Sequence, residues 1–200
     1  MPKLDLYRKH RGEYVTPRTP VLVTINPAKY LAIAGQGAPS QPGFQRAIGA
    51  LYTMAFTIKM ARKFAGRDYV VTKLEGLWWG ERRGRLLIEE PRSRWRWKLM
   101  IRVPPFISET DRRSALALLR SRGKNPLLGQ VKLETLREGR CVQILHLGPY
   151  DAEHESIGRM MALAREQGRR LRGRHHEIYL SDPRRIPASR LKTILRHPVT

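Results

Sequence analysis

The chain has 200 residues, of which 41% are hydrophobic and 28% charged, and its mean hydropathy is −0.48. No apolar run approaches the roughly 18 residues that a membrane-spanning helix needs, and the opening MPKLDLYRKHRGEY has no apolar stretch like that of a secretory signal. The single cysteine, Cys141, excludes an intramolecular disulfide framework and a multi-cysteine metal site. These features predict a soluble, cytoplasmic globular protein without a membrane partner.

The charge balance is strongly basic. The chain carries 39 Lys and Arg residues against 17 Asp and Glu, a formal net charge of +22. Such a balance favours anionic partners, nucleic acids above all. The positive residues are scattered, however, with no basic tail and no lysine-rich block. We therefore expect an arginine-biased solvated surface, no specific nucleic-acid partner and only weak nonspecific attraction to polyanions.

The first half of the chain begins with residues 1–19, which are too short for a domain and are predicted to form an N-terminal arm. VLVTINPAKYLAIAG contains two short apolar runs around an Asn-Pro turn signal, which predicts a hairpin. A helix is predicted from about Pro42 to Phe64, and strands are predicted in DYVVTKLEGLWW and RWRWKLMIRVP. The apolar residues of that helix keep the three-to-four spacing of one face: Phe44, Ile48, Leu51, Ala55 and Ile58.

The same order of elements returns after a linker helix at about 109–122, which Ser108 is placed to cap. VKLETLREGRCVQILHLG is predicted to form a second hairpin, with Glu-Gly at its turn. A helix from about Tyr150 to Gln167 and the strands HHEIYLSD and LKTILRHPV follow. The repeat predicts an α+β fold of two pseudo-symmetric strand-helix-strand-strand halves, about 20–107 and 126–199, with antiparallel sheet. We expect a central ligand cleft where the halves meet.

Tryptophans are concentrated in the two strands of the first half. In RWRWKLMIRVP, alternation places Trp95 and Trp97 on one face with apolar residues. The opposite face carries the basic residues Arg94, Arg96, Lys98 and Arg102. This separation favours a tryptophan-rich inner face and a cationic outer face over a surface for nucleic-acid stacking. Trp78 and Trp79 point to opposite sides of their strand, so at most one of them can join a given pocket wall.

Glu153 is a first candidate for chemistry. Around the second-half helix it falls on the apolar stripe that also holds Ile157 and Met160, whereas Glu155 points to the other side. A carboxylate on a core-facing stripe is costly unless it is paired or performs a task. The alternative is a solvated first-turn glutamate that the helix dipole favours.

Glu177 is a second candidate, because alternation in HHEIYLSD places it with Tyr179 on one face of a strand. The pattern leaves two arrangements open: Glu177 faces away from the helix, or it faces inward and approaches Glu153. Two carboxylates in an apolar pocket would raise at least one pKa and form an acid/base pair. His146 and His175 are placed to join such a pocket, although a histidine on a strand is more often structural.

Four stretches carry a family resemblance: LEGLWW, WRWKLMIRVPPFIS, CVQILHLGPYDAEHESI and HHEIYLSDPRRIPASRLKTILRHPV. They resemble the GyrI-like small-molecule-binding family, which is related to the effector-binding domains of the Rob and BmrR regulators. The resemblance covers roughly residues 20–199 and implies one domain of two strand-helix-strand-strand (SHS2-type) units around a cleft. It also implies a planar, often cationic, aromatic ligand, with Glu177 in the ligand pocket and Tyr179 in the same motif.

Stand-alone members similar to this chain include hydrolases that open the cyclopropane of DNA-alkylating cyclopropanoid toxins, an activity that implies genotoxin resistance. Their motif glutamates map onto Glu153 and Glu177, so that one carboxylate would activate water for attack on the strained ring carbon. No metal and no cofactor are expected. The residues expected to bind the ligand are Tyr179, Tyr150, Trp78, Trp79, His146 and Phe56.

An alternative function is a non-catalytic one. The chain would then sequester ligands, act as an effector-binding module or contact a protein partner such as gyrase. The helix-turn-helix of the related regulators has no counterpart in the short N-terminal segment, so a complete transcription factor is not expected. A pair of opposed pocket carboxylates favours the enzyme, whereas a single pocket glutamate favours the binder.

Overall fold

The fold is described from a computed structural model over residues 3–80, 90–123 and 126–200. The helices are α1 (Leu6–Lys9), α2 (Arg11–Tyr14), α3 (Pro42–Phe64), α4 (Glu109–Ser121) and α5 (Glu153–Glu166). The strands are β1 (Val21–Ile25), β2 (Ala28–Gln36), β3 (Leu74–Trp79), β4 (Arg96–Val103), β5 (Lys132–Leu136), β6 (Gly139–Leu147), β7 (His175–Tyr179) and β8 (Lys192–Pro198). No helix in these ranges is long and apolar enough to cross a membrane.

The chain forms two compact units. Unit 1 contains Met1–Lys9, Ala28–Thr72 and Trp78–Leu136. Unit 2 contains His10–Pro27, Lys73–Leu77 and Arg137–Thr200.

Unit 1 is built around β2, which pairs antiparallel with β4 on one side and with β5 on the other. The amphipathic helix α3 packs on this sheet and has the predicted bounds. Its Phe44 stacks on Trp78 at 5.6 Å and meets the edge of Trp97 at 5.2 Å between ring centroids. Gly35 of β2 makes room for this aromatic cluster, because a Cβ at that position would clash with the Trp97 ring.

The two faces of β4 are only partly as predicted. Trp97 lies on the buried inner face, and Arg94 and Arg96 are exposed. Arg102, however, is only 4% exposed, and Lys98 is half-buried in an ion pair with Glu134. The prediction of a cationic outer face is therefore wrong at Arg102, because both sides of the C-terminal half of β4 are covered.

Unit 2 holds the antiparallel strand pairs β1–β6, β6–β8 and β8–β7. The helix α5 packs across β6 and closes an apolar core. The core residues come from α5, β6, β8 and the C-terminal end: Val142, Ile144, Met160, Ala164, Leu195 and Val199.

Both predicted hairpins are wrong. Strand β1 pairs with β6 and not with β2, and β5 pairs with β2 and not with β6. A two-residue hairpin loop needs a positive φ at its first central residue, but no non-glycine residue in the described ranges has one. Asn26-Pro27 therefore does not reverse the chain into a hairpin. In the predicted Glu138-Gly139 turn, Gly139 has a φ of 71° but is already paired with Ile25 of β1, so β6 begins beside β1 and not beside β5. Strand β1 belongs to unit 2, while β5 ends unit 1.

The predicted fold class is confirmed. The described residues form a mixed α+β fold with antiparallel sheet. Strand, helix, strand and strand follow each other twice, as β2-α3-β3-β4 and as β6-α5-β7-β8. The ligand cleft stays a prediction.

Candidate functional site

The register between β7 and β8 decides which way Glu177 points. Glu177 lies directly opposite Leu195, and directly opposed residues in an antiparallel pair project from the same face of the sheet. Leu195 packs with Met160 and Ala164 of α5. Glu177 therefore faces the helix, which is the inward arrangement of the two that the sequence left open.

Glu153 and Glu177 form a hydrogen-bonded carboxyl pair. Glu153 is 7% exposed and Glu177 is 9% exposed, whereas Glu155 is exposed on the other side of α5. Glu153 lies in the first turn of α5 but is buried, so the alternative of a solvated first-turn glutamate is wrong. A hydrogen bond between two carboxyl groups requires a shared proton.

The shared proton is held mainly by Glu153. Burial raises the pKa of Glu153 well above its usual range, and the negative charge of Glu177 raises it further. Because like charges this close cannot both ionise readily, one member of the pair stays protonated at pH values where an ordinary glutamate is charged. The arrangement supplies one neutral acid and one carboxylate base side by side.

His175 borders this pair. Its Nε2 lies 3.6 Å from Glu177 Oε1. Burial lowers the pKa of His175 to about 3, and the neighbouring His197 and His176 contribute to the shift. The imidazole is therefore neutral at physiological pH, and it adds a polar atom to the site without adding charge.

Two polar atoms of this cluster are buried without a hydrogen-bond partner in the described part of the chain. They are Glu153 Oε1 and His175 Nε2. One possible ligand atom from each of Glu153, His175 and Glu177 lies within 4.8 Å of the other two, so the three side chains converge closely enough to be considered for a metal ion. The shared proton opposes a cation, because carboxylate ligands must lose their protons before they bind one.

An aromatic pair lies next to the carboxyl groups. Tyr150 and Tyr179 meet edge to face, with ring centroids 6.0 Å apart and planes at 90°. Burial raises the pKa of Tyr150 to about 12, and the negative charge of Glu177 adds to this shift. The phenol therefore remains protonated and can donate a hydrogen bond.

His146 anchors the start of the helix that carries Glu153. Its Nε2 donates to the Pro149 carbonyl oxygen at 3.1 Å, and its Nδ1 pairs with the Ser156 hydroxyl at 3.0 Å. Both ring nitrogens are thus engaged with the residues on either side of Glu153. A ligand-binding role for His146 stays a prediction.

The other predicted site residues belong to unit 1. Trp78 is 4% exposed in the aromatic cluster with Phe44, and Trp79 is half-buried. Phe56 is 52% exposed on α3 and stacks on Tyr52. Unit 2 thus brings together Tyr150, Glu153, Glu177 and Tyr179, and the ligand roles of the three unit 1 residues stay predictions.

The opposite face of β7 carries a buried charged network that the sequence did not reveal. His176 donates from Nδ1 to Glu138 and from Nε2 to Glu75, both at 3.0 Å, and Arg196 donates to Glu138 at 3.1 Å. Burial would lower the pKa of His176, but Glu138 and Glu75 outweigh it and raise that pKa to about 9. Burial would likewise raise the pKa of Glu138, but His176 and Arg196 lower it to about 2.

The N-terminal residues of unit 2 complete this network. Arg196 also donates to the Glu13 carbonyl oxygen at 2.6 Å, and the Tyr14 hydroxyl donates to Glu75 at 3.2 Å. The segment that was predicted to be an arm is thus bonded to β8 and β3 within this unit. The sequence contained one signal of this buried network, because Arg196 interrupts the apolar strand LKTILRHPV.

Comparisons with known proteins agree with this architecture. The model of the GyrI-like small-molecule-binding domain matches residues 18–199. A solved structure of an uncharacterized conserved protein from Listeria innocua is 33% identical, with a TM-score of 0.92 over 99% of this chain and 100% of that one. A hydrolase from Listeria innocua is also 33% identical, with a TM-score of 0.90 over 100% of both chains.

A more distant structure shares the fold alone. The C-terminal domain of EcmrR is 14% identical and has a TM-score of 0.61 over 91% of this chain and 97% of that domain. The comparison with curated proteins gave no match. The match over residues 18–199, together with relatives one-third identical over their whole length, shows that the chain belongs to the GyrI-like small-molecule-binding family.

Proposed function

We propose that this GyrI-like chain binds planar aromatic electrophiles and hydrolyses the strained ring of cyclopropanoid genotoxins. The observation that carries the proposal is the buried, hydrogen-bonded pair of Glu153 and Glu177. A small-molecule-binding site needs no such pair, since a single carboxylate already attracts a cationic ligand. The Listeria innocua hydrolase, at 33% identity over the full length, supports a hydrolytic reaction.

The two carboxyl groups have different roles in the proposed reaction. Glu177, as the carboxylate, accepts a proton from water while the water oxygen forms a bond to the strained ring carbon. The ring carbon–carbon bond breaks, its electron pair moves into the conjugated acceptor of the ligand, and that acceptor takes a proton from solvent. Glu177 then releases its proton, so the net change is the addition of one water. Glu153, as the neutral acid, orients Glu177 through their hydrogen bond.

The surroundings favour the proposed ligand class. The edge-to-face pair of Tyr150 and Tyr179 offers aromatic surface beside the carboxylate, and flat ring systems gain from stacking or edge contacts with such side chains. A carboxyl pair that shares one proton keeps a net negative charge in a chain whose overall charge is +22. This local charge favours neutral or cationic ligands over anionic ones.

The test is incubation of the purified protein with several cyclopropanoid compounds in ¹⁸O-labelled water. Mass spectrometry should show a ring-opened product that carries one labelled oxygen, formed faster than in buffer and faster than with the Glu177→Gln variant. Tight binding of these compounds without turnover would contradict the enzyme and establish the non-catalytic binder. If the protein neither binds nor converts these compounds, the proposed ligand class is contradicted.

A further inference from the structure

Three polar atoms in unit 2 converge on one position, and two of them belong to the proposed catalytic pair. Glu153 shares a hydrogen bond with Glu177, and its Oε1 is buried without a counted partner among the described residues. His175 Nε2 is the second buried atom without such a partner, and it lies 3.6 Å from Glu177 Oε1.

The spacing of these atoms suits a single water molecule. One polar atom from each of Glu153, His175 and Glu177 lies within 4.8 Å of the other two. Three atoms spaced in this way can all be reached from one point at about 2.8 Å, which is an ordinary hydrogen-bond length. A zinc ion would need its nitrogen and oxygen ligands closer, at about 2.0–2.2 Å. The separation of His175 Nε2 and Glu177 Oε1 allows one water molecule to lie within hydrogen-bond distance of both atoms.

We propose that His175 is a third catalytic residue, which holds the reacting water together with Glu153 and Glu177. The inference rests on the proposed function, because the water is the one that attacks the ring. The sequence placed His175 only among the candidates that could join a pocket, and the family resemblance assigned it no role.

The hydrogen bonds of such a water can be accounted for completely. Water has two donor hydrogens and two acceptor lone pairs. His175 donates from Nε2–H to one lone pair, and the two hydrogens are donated to the Glu177 carboxylate and to the unprotonated oxygen of Glu153. The second lone pair stays available for attack on the ligand. When Glu177 removes its proton, the new oxygen–carbon bond forms from that lone pair.

The environment of His175 fits this role. Burial lowers the pKa of His175 to about 3, so it stays neutral beside the carboxylate and does not neutralise the base. Its strand is held from the other face, where His176 is bonded to both Glu75 and Glu138. Glu153 and Glu177 face His175, and His197 lies 6.0 Å away between ring centroids.

The experiment compares three variants with the wild type on a cyclopropanoid substrate. His175→Phe keeps an aromatic ring but removes the polar atoms, and it should lower kcat about 10-fold, the scale of one hydrogen bond lost from the transition state. KM and the affinity for the ring-opened product should change less than about twofold, since positioning a water affects the transition state rather than binding. His175→Gln restores a polar terminus and should recover part of kcat.

His197→Phe is the matched control, because His197 is the neighbouring ring and burial also lowers its pKa, to about 4. It should keep kcat within about twofold of the wild type, as expected for a group that the reaction does not use. An equal loss in His197→Phe and His175→Phe would indicate a packing effect and overturn the inference.

The outcomes separate this inference from the proposed function. No turnover by the wild type refutes the function itself and, with it, the catalytic role of His175. Turnover by the wild type with unchanged kcat in His175→Phe overturns this inference alone. If His175→Phe does not fold, a high-resolution crystal structure of the wild type decides: a water bonded to all three side chains supports the inference. A stoichiometric metal ion in the purified protein, whose removal abolishes activity, overturns it.

Discussion

His176 and Glu177 are neighbours in β7, yet their side chains enter opposite and chemically different layers of unit 2. His176 lies in a buried charged network with Glu75 and Glu138, whereas Glu177 meets Glu153 on the side of α5. Because successive residues of a strand alternate between faces, a shift of one residue in register would exchange the two environments. The charged network around His176 on one face of β7 therefore holds the Glu177 carboxylate on the other face.

Glu177→Gln should abolish most of the proposed activity. The amide keeps the shape of the side chain but cannot accept a proton from water, so kcat should fall about 100-fold or more. Single-turnover kinetics measure this loss, and thermal unfolding checks that the variant is folded.

Glu155→Gln is the control for that variant, because Glu155 is an exposed glutamate on the other side of α5. It should leave kcat unchanged. The double variant Glu153→Gln/Glu177→Gln should lose less than the product of the two single effects, because groups that act as a unit are not additive. Full activity in Glu177→Gln would show that the residue is not the base.

Glu153→Gln should stabilise the protein at neutral pH. The pKa of Glu153 is raised in the folded state, so the unfolded chain loses this proton at a lower pH than the folded one. Folding stability therefore falls as pH rises above about 4.3, the ordinary glutamate value, until the folded carboxyl also ionises. Glutamine removes that penalty.

The melting temperature measures this effect. Relative to the wild type, that of Glu153→Gln should rise at pH 7–8 and change little near pH 4, where both states hold the proton. A variant that is destabilised equally at both pH values would contradict the shared proton.

The network around His176 should give the wild type a stability maximum between mildly acidic and neutral pH. The pKa of Glu138 is lowered to about 2, so its contribution is present above about 4.5 and is lost as pH falls toward 2. The pKa of His176 is raised to about 9, so its contribution is present below about 6.5 and is lost as pH rises through 9. Urea unfolding across this pH range measures both the acidic and the alkaline loss of stability.

Glu138→Gln should be strongly destabilising, by about 3–5 kcal/mol, because it leaves the buried charges of His176 and Arg196 without their shared carboxylate. The alkaline loss of stability should shrink in this variant, since the pKa of His176 no longer has its main source of elevation. If the stability of the variant falls as steeply at alkaline pH as that of the wild type, His176 is not the titrating group.

Gly35→Ala should destabilise unit 1. A methyl group at position 35 would clash with the Trp97 ring, and overpacking of a core costs about 1–3 kcal/mol. Gly49→Ala is the matched control, because Gly49 lies in α3 with open space around its Cβ position. It should stabilise the protein by about 0.5–1 kcal/mol, the usual gain when alanine replaces glycine within a helix. Equal effects at both positions would contradict the close packing of Trp97.

Local patterns in the sequence determined most helices and strands. They also determined on which face of its own helix or strand each glutamate of the carboxyl pair lies. The apolar spacing of α3 and α5 follows from the helical repeat, and it placed Glu153 on the buried side and Glu155 on the exposed side. Alternation in HHEIYL placed Glu177 and Tyr179 on one face of a strand. These inferences held because each depends on residues only a few positions apart, whose relative directions the backbone repeat sets.

The tertiary structure alone decided which strands pair and what faces the carboxylates. The sequence signals predicted pairing of β1 with β2 and of β5 with β6, but the chain pairs β1 with β6 and β5 with β2. Alternation shows that a strand has two faces, but it contains no information about the partner strand or the layer on each side. That is why the burial of Arg102 and Arg196, the network around His176 and the approach of Glu177 to Glu153 emerged only from contacts between residues far apart in the chain.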